Sequence, residues 1–245
     1  MRILEIKQLV KEFGALAAVN NLSMNLDAGE IHAVIGPNGA GKTTLFNLIT
    51  GVFSPNQGKI MFNGEDITNL SPYKINRRGL ARSFQLTNIF QGLKVMENIR
   101  VACQALEKGL KMFSDVDHLK TTKERTENIL KDIGLWEKRD QYAGNLSHGD
   151  QRRVEIGLAL ASGPKLLLLD EPTAGMTPAE TKETMLLING LRNRLTILLI
   201  EHDMDVVMGL SDIITVMQQG EKIAEGPPDQ IKSNQKVIEA YFGAA

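Results

Sequence analysis

Along the first thirty residues, apolar side chains alternate with polar ones: Ile3, Leu4 and Ile6, then Val19, then Leu22, Met24 and Leu26 at every second position, punctuated by Gly14 and Gly29. A period of two bounded by glycine predicts antiparallel strands. Ile31-His32-Ala33-Val34-Ile35 is a denser apolar run that enters the turn Gly36 to Gly41. Leu45, Leu48 and Ile49 then recur at helical spacing up to Gly51, so strand, loop and helix follow one another. A short strand and turn are expected around Ile60 to Ile67.

From about Leu86 to Ser162 the apolar period lengthens to roughly 3.6. Ile129, Leu130, Ile133 and Trp136 share one face, and Glu127 lies four residues before Lys131 as a favourable exposed pair. A mostly helical insertion is predicted there. Alternating β and α texture then returns with Leu166 to Leu169, a helix from about Ala179 to Asn193, and a strand from Leu195 to Ile200. Near-continuous apolar runs of this length suit central parallel strands covered on both faces. Ile213 to Met217 and Lys222 to Ala224 flank Gln219-Gly220 as a hairpin, and Pro227-Pro228 precedes a C-terminal helix ending near Phe242.

Composition narrows this picture by exclusion. The 245 residues are 42% hydrophobic and 23% charged, which rules out disorder and collagen-like repeats. With 28 Lys+Arg against 29 Asp+Glu, whole-chain charge gives no pull toward nucleic acid or anionic lipid, so no nucleic-acid partner is expected. The single cysteine, Cys103, cannot close an intramolecular disulfide, and with four histidines it offers no zinc spacing; a reducing cytosol fits. Glu5 comes too early for a signal-peptide core, and no apolar run nears the roughly 18 residues that span a bilayer. The chain itself is therefore not expected to cross a membrane.

Two segments carry chemistry. Gly36-Pro37-Asn38-Gly39-Ala40-Gly41-Lys42-Thr43-Thr44 satisfies G-x-x-x-x-G-K-[ST] between a buried strand and a helix. Glycines let successive N–H groups turn inward, the helix N-terminus adds positive potential, and Lys42 places a point charge on the β- and γ-phosphates. The Thr43 hydroxyl can hold Mg²⁺. In Leu166-Leu167-Leu168-Leu169-Asp170-Glu171 a buried strand delivers two carboxylates to its C-terminal end, the edge where open α/β sheets bind ligands. Asp170 would bind Mg²⁺ through its water shell, and Glu171 would orient or deprotonate an attacking water.

With these pieces in place, the sequence resembles the nucleotide-binding subunits of ABC (ATP-binding cassette) transporters over nearly its whole length. Four further segments stand in that family's order: Arg82-Ser83-Phe84-Gln85, Leu146-Ser147-His148-Gly149-Asp150-Gln151, Asp170-Glu171-Pro172-Thr173 and Glu201-His202-Asp203. The resemblance implies one α/β ATPase domain over 1–245. It has a P-loop NTPase core carrying an antiparallel β subdomain (1–85 and 163–245) and a helical subdomain (86–162). It further implies that Gln85 is a hinge glutamine sensing nucleotide and Mg²⁺, that His202 contacts the γ-phosphate, and that Phe13 stacks on adenine. Ser147, His148, Gly149 and Asp150 stand at the family's signature motif, usually Leu-Ser-Gly-Gly-Gln, which completes the ATP site of a second subunit in a head-to-tail dimer.

His148 and Asp150 depart from that consensus, although Ser147 and Gly149 keep a hydroxyl and N–H groups at the start of a helix beginning near Asp150. An acid aimed at phosphate is costly, so the Asp150 side chain is expected to point away, capping the helix. Thr177 likewise replaces the aspartate usual after the catalytic glutamate. These departures, with Ala174-Gly175-Met176-Thr177-Pro178 and the tail Val237 to Gly243, resemble the branched-chain amino-acid importer ATPases, with urea-importer ATPases as close relatives.

The implied function is ATP hydrolysis powering transport. The implied partners are transmembrane permease subunits, a second copy or a related ATPase, and a solute-binding protein, with the chain peripheral on the cytoplasmic face of the cell membrane. The rivals are an ATPase of lipopolysaccharide export, a soluble ABC protein of DNA repair or translation, and a regulatory module that binds ATP without hydrolysing it.

Overall fold

The computed structural model describes residues 1–83, 89–105 and 116–242. The N-terminal alternation becomes two long strands, β1 (Arg2–Phe13) and β2 (Leu16–Asp27), which turn at Gly14 and pair antiparallel. Next come β3 (Ile31–Ile35), α1 (Lys42–Ile49), β4 (Gln57–Phe62), β5 (Glu65–Asp66), α2 (Pro72–Asn76) and β6 (Leu80–Arg82). The helical stretch contributes α3 (Val95–Gln104), α4 (Val116–Asp132) and α5 (His148–Leu160). The chain closes with β7 (Leu166–Asp170), α6 (Pro178–Leu191), β8 (Thr196–Ile200), α7 (Met204–Leu210), β9 (Ile213–Gln218), β10 (Glu221–Gly226), α8 (Pro228–Lys232) and α9 (Gln235–Phe242).

Two sheets result. An antiparallel sheet runs β2-β1-β4-β5, and a second runs β10-β9-β3-β8-β7-β6, parallel throughout except for the β9–β10 hairpin. Gln219 and Gly220, both at positive φ, supply the primed turn that a two-residue hairpin requires. The parallel sheet is the middle layer, and its pleat sorts its side chains. Ile31, Ala33, Ile35, Leu167, Leu169, Ile197 and Leu199 face a core shared with α3, α4 and α5. Val34, Leu166, Leu168, Leu198 and Ile200 face the other way, against α1 and the antiparallel sheet. Covered on both sides, β3, β7 and β8 are buried at every position, which is why they read as near-continuous apolar runs.

Several expectations are corrected. One C-terminal helix was predicted after Pro227-Pro228, but two form, because the Asn234 side chain accepts from the Lys236 N–H at 3.0 Å and starts α9 afresh. Helix α5 begins at His148 rather than near Asp150, with Ser147 as its cap: Ser147 Oγ accepts from the Asp150 N–H at 3.3 Å. Asp150 caps nothing and pairs with Lys138 and Arg153. Helix α7, capped by the Asp203 carboxylate, was not anticipated, nor were α2 and the three-residue edge strand β6, all too short to show a period. Among the described residues no helix is long and apolar enough to cross a membrane.

Candidate active site

Adjacent strands β3, β8 and β7 end on the same edge of the parallel sheet, and each hands a polar segment to it. Strand β3 runs into Gly36 to Gly41, β8 into Glu201-His202, and β7 ends at Asp170, followed by Glu171. The loop after β3 is shaped by two obligatory glycines. A Cβ on Gly36 (φ +153) would lie 2.1 Å from the Met217 carbonyl oxygen, and one on Gly41 (φ +99) 2.2 Å from that of Ala18. Gly41 then caps α1, whose first turn carries no acid, so its amides and dipole are left for an anion.

Lys42 Nζ donates to the carbonyl oxygens of Gly36 at 2.6 Å and Pro37 at 3.0 Å, which curls the side chain back over its own loop. Burial pushes its ammonium below the ordinary value, while Glu171 and Asp170 pull the other way. Asn38, Gly39, Ala40, Gly41, Lys42, Thr43 and Thr44 line a cavity of about 640 Å³ together with Phe13 and Glu171. Phe13 stands at the mouth of this cavity, 44% exposed and packed edge to face on Phe53 with centroids 5.3 Å apart. An aromatic ring that open to solvent beside a polar loop is available for stacking.

Asp170 is fully buried. Its Oδ2 accepts from Arg82 Nη2 at 2.6 Å, while Asp170 Oδ1 has no hydrogen-bond partner among the described residues, and Arg82 Nη1 donates to Asn47 Oδ1 at 2.6 Å. A desolvated carboxylate oxygen without a donor suits a cation. Groups of three or more acidic, His or Cys side chains able to hold a metal are absent among the described residues.

Glu171 sits at φ +47, and its Oε1 lies 3.9 Å from His202 Nδ1. His202 is exposed and precedes the cap of α7, and buried Glu201 braces this corner by accepting from the Thr173 hydroxyl at 2.6 Å and the Thr173 N–H at 3.0 Å. Gln85 lies outside the described residues.

The signature-like segment stands apart from the phosphate loop. His148 lines a second cavity of about 250 Å³ with residues of α5 and with Asp170 and Glu171. The Gly149 N–H donates to Glu180 Oε1 at 3.2 Å, and Thr177 Oγ1 and the Thr177 N–H donate to Glu180 Oε2 at 2.9 and 3.1 Å. The Thr177 N–H, with help from the Thr177 and Ser147 hydroxyls and the Gly149 N–H, lowers the Glu180 carboxyl to about 2. The sequence gives no role to Glu180 or Arg152, and names Arg82 only as a member of the Arg82-Ser83-Phe84-Gln85 segment. Only Glu180 left a signal, as the N3 acid of a Thr177-x-x-Glu180 capping box.

Residues 19–174 match the family model described as ABC transporter, and residues 221–245 match that described as branched-chain amino acid ATP-binding cassette transporter. The chain is 45% identical to the high-affinity branched-chain amino acid transport ATP-binding protein LivG of Escherichia coli K12, over 99% of its own length and 98% of the relative's. To BraF of Pseudomonas aeruginosa, described in the same words, it is 41% identical over 99% and 98%. A crystal structure of a nucleotide-free ATP-binding cassette from an ABC transporter superposes with a TM-score of 0.85 at 33% identity, over 100% of both chains.

Proposed function

The chain belongs to the ABC transporter ATPase family, and on that premise we propose that it is the ATP-hydrolysing subunit of a branched-chain amino-acid importer. One observation carries the ATPase half: the phosphate loop and Glu171 line one cavity, beside the buried Asp170, whose Oδ1 has no hydrogen-bond partner among the described residues. The solute half is supported by the full-length likeness to two branched-chain amino acid transport proteins and by the match of the C-terminal segment.

Within that cavity the loop N–H groups and Lys42 hold the β- and γ-phosphates, and Phe13 stacks on adenine. Thr43, Asp170 and Gln85 would hold Mg²⁺, which when bound would supply positive charge to offset that of the phosphates. Glu171 orients the attacking water and takes its proton, and His202 beside it contacts the γ-phosphate. Lys42, kept short of full solvation, loses little on leaving the Gly36 and Pro37 carbonyls for phosphate. Ser147, His148, Gly149 and Asp150 serve the ATP of a second copy or of a related ATPase. The domain division is a core of 1–85 and 163–245 with a helical subdomain of 86–162. The subunit works at the cytoplasmic face of the membrane through permease subunits, in a system supplied by a solute-binding protein.

Isolated from its own membranes in mild detergent, the chain should bring a multi-spanning permease with it and hydrolyse ATP when Mg²⁺ is present. Recovery without any membrane protein contradicts the transporter assignment. Recovery of an assembly that binds ATP without turnover contradicts the enzymatic one.

A further inference from the structure

A charged pair that the chemistry above does not use lies beneath the two carboxylates. Arg152 and Glu155 are one turn apart on α5 and both are buried. Arg152 Nη1 donates to Glu155 Oε2 at 2.6 Å, while Nη2 donates to the carbonyl oxygen of Asp170 and, at 3.2 Å, to that of Glu171. Those carbonyls belong to the two peptide planes on either side of the Glu171 Cα, so a single guanidinium spans the torsions that aim the Glu171 side chain. From the opposite side, the Glu171 N–H donates to the Ile200 carbonyl at 2.9 Å.

The torsion being held is an unfavourable one. Glu171 has φ +47, in the left-handed region, where a residue with a Cβ persists only if its surroundings over-determine it. A planar fork can contact two carbonyls and a carboxylate together, which the single ammonium of lysine cannot do with the same geometry. A guanidinium at that depth needs a counter-charge, and Glu155 supplies it from the same helix. The helix is also the one whose first residues are His148 and Gly149, so the fork ties the start of α5 to the end of β7.

We infer that Arg152, held by Glu155, is a positioning residue for hydrolysis: it locks the peptide planes flanking Glu171, points that carboxylate at the attacking water, and couples it to the signature segment of its own chain. The inference rests on Glu171 acting on the attacking water. Arg152 itself touches neither phosphate nor water in this role.

The test replaces both members, Arg152→Gln with Glu155→Gln, so that no buried charge is left alone. Turnover of ATP by the intact transporter should fall about 100-fold, the scale of a misaimed catalytic group, with KM for ATP within twofold of wild type. In single-turnover measurements the same pair added to Glu171→Gln should cost nothing further, because its effect passes through Glu171. Wild-type turnover in the double variant, or losses that multiply with Glu171→Gln as a general weakening of the fold would make them, overturns the inference. If the double variant does not fold, Arg152→Lys keeps the charge opposite Glu155 and replaces it. Arg152→Lys should show the same loss of turnover at unchanged KM, and wild-type turnover there also overturns the inference. Absence of turnover in the wild type would instead remove the ATPase assignment on which the inference stands.

Discussion

Helices α1 and α5 both open with glycine-containing segments suited to anions, yet they treat their first-turn amides differently. At α1 the loop residues and the N–H groups around Lys42 line an open cavity, and no acid occupies the first turn. At α5 the Gly149 N–H is already given to the carboxylate of Glu180, and Asp150 in the first turn is bound to Lys138 and Arg153. The first terminus is an anion site finished within the chain. The second is satisfied internally, so a phosphate arriving there must displace a carboxylate. On the proposal that this segment serves the ATP of a second subunit, the contrast supplies a physical reason: the Gly149 N–H is held by an acid until a partner brings a phosphate.

The contrast can be broken first at α1. Lys42→Ala removes the cation from a site whose other donors are neutral, and should cost about 2–5 kcal/mol of ATP binding, at least about 30-fold in Kd by calorimetry. The same substitution should leave the hydrogen bonds at α5 and the thermal stability nearly untouched. Unchanged Kd would show that the loop N–H groups alone carry the phosphate.

At α5 the expected effect is smaller and of opposite sign. Glu180→Gln keeps the shape but removes the competing charge, so ATP-driven association of subunits should need severalfold less ATP, read by light scattering, with ATP affinity of the single chain unchanged. Weaker association would mean that Glu180 organises the segment rather than guarding it. The pH dependence follows from the direction of the shift. A carboxyl lowered from 4.5 to about 2 contributes its capping fully above the unfolded value and loses it progressively as pH falls from there through about 2. The difference in Tm between wild type and Glu180→Gln should therefore be flat from about pH 6 to 8 and shrink below about pH 4. A difference that grew on acidification would refute the assignment.

The smallest effect belongs to the cap. Thr177→Ala removes the Oγ1 that accepts from the Glu180 N–H at 3.4 Å and donates to its carboxylate. It should lower stability by about 1 kcal/mol, roughly 2–4 °C in Tm for a chain of this size, with turnover preserved. Lost turnover at normal Tm would assign Thr177 to the chemistry instead.

What the sequence could reveal follows the same division. The phosphate loop, the β7 carboxylates and the buried strands were legible because each is contiguous: Gly36 to Thr44 is one run, and Leu166 to Glu171 is another. Short elements such as α2, β6 and α7 were not, since they form where Pro72 in the first turn, the edge of β7 and the Asp203 cap direct the chain rather than through any period of their own. The contacts that distinguish this site are non-local. Arg82 meets Asp170 across two neighbouring strands, Arg152 reaches under Glu171 from another layer, and Glu180 reaches back to Gly149. Nothing in the residue types announces those pairings. The expected Asp150 cap failed because the helix starts two residues earlier: Ser147 takes the cap position and accepts from the Asp150 N–H, while Lys138 and Arg153 hold the Asp150 carboxylate.

The central claim is that the chain turns over ATP in the cavity between the phosphate loop and Glu171. It is tested most directly by measuring ATP affinity and phosphate release together in Glu171→Gln. Affinity should stay within about threefold of wild type while phosphate release falls at least about 100-fold, the usual share of a general base. Phosphate release at the wild-type rate, with ATP still bound, would contradict the claim.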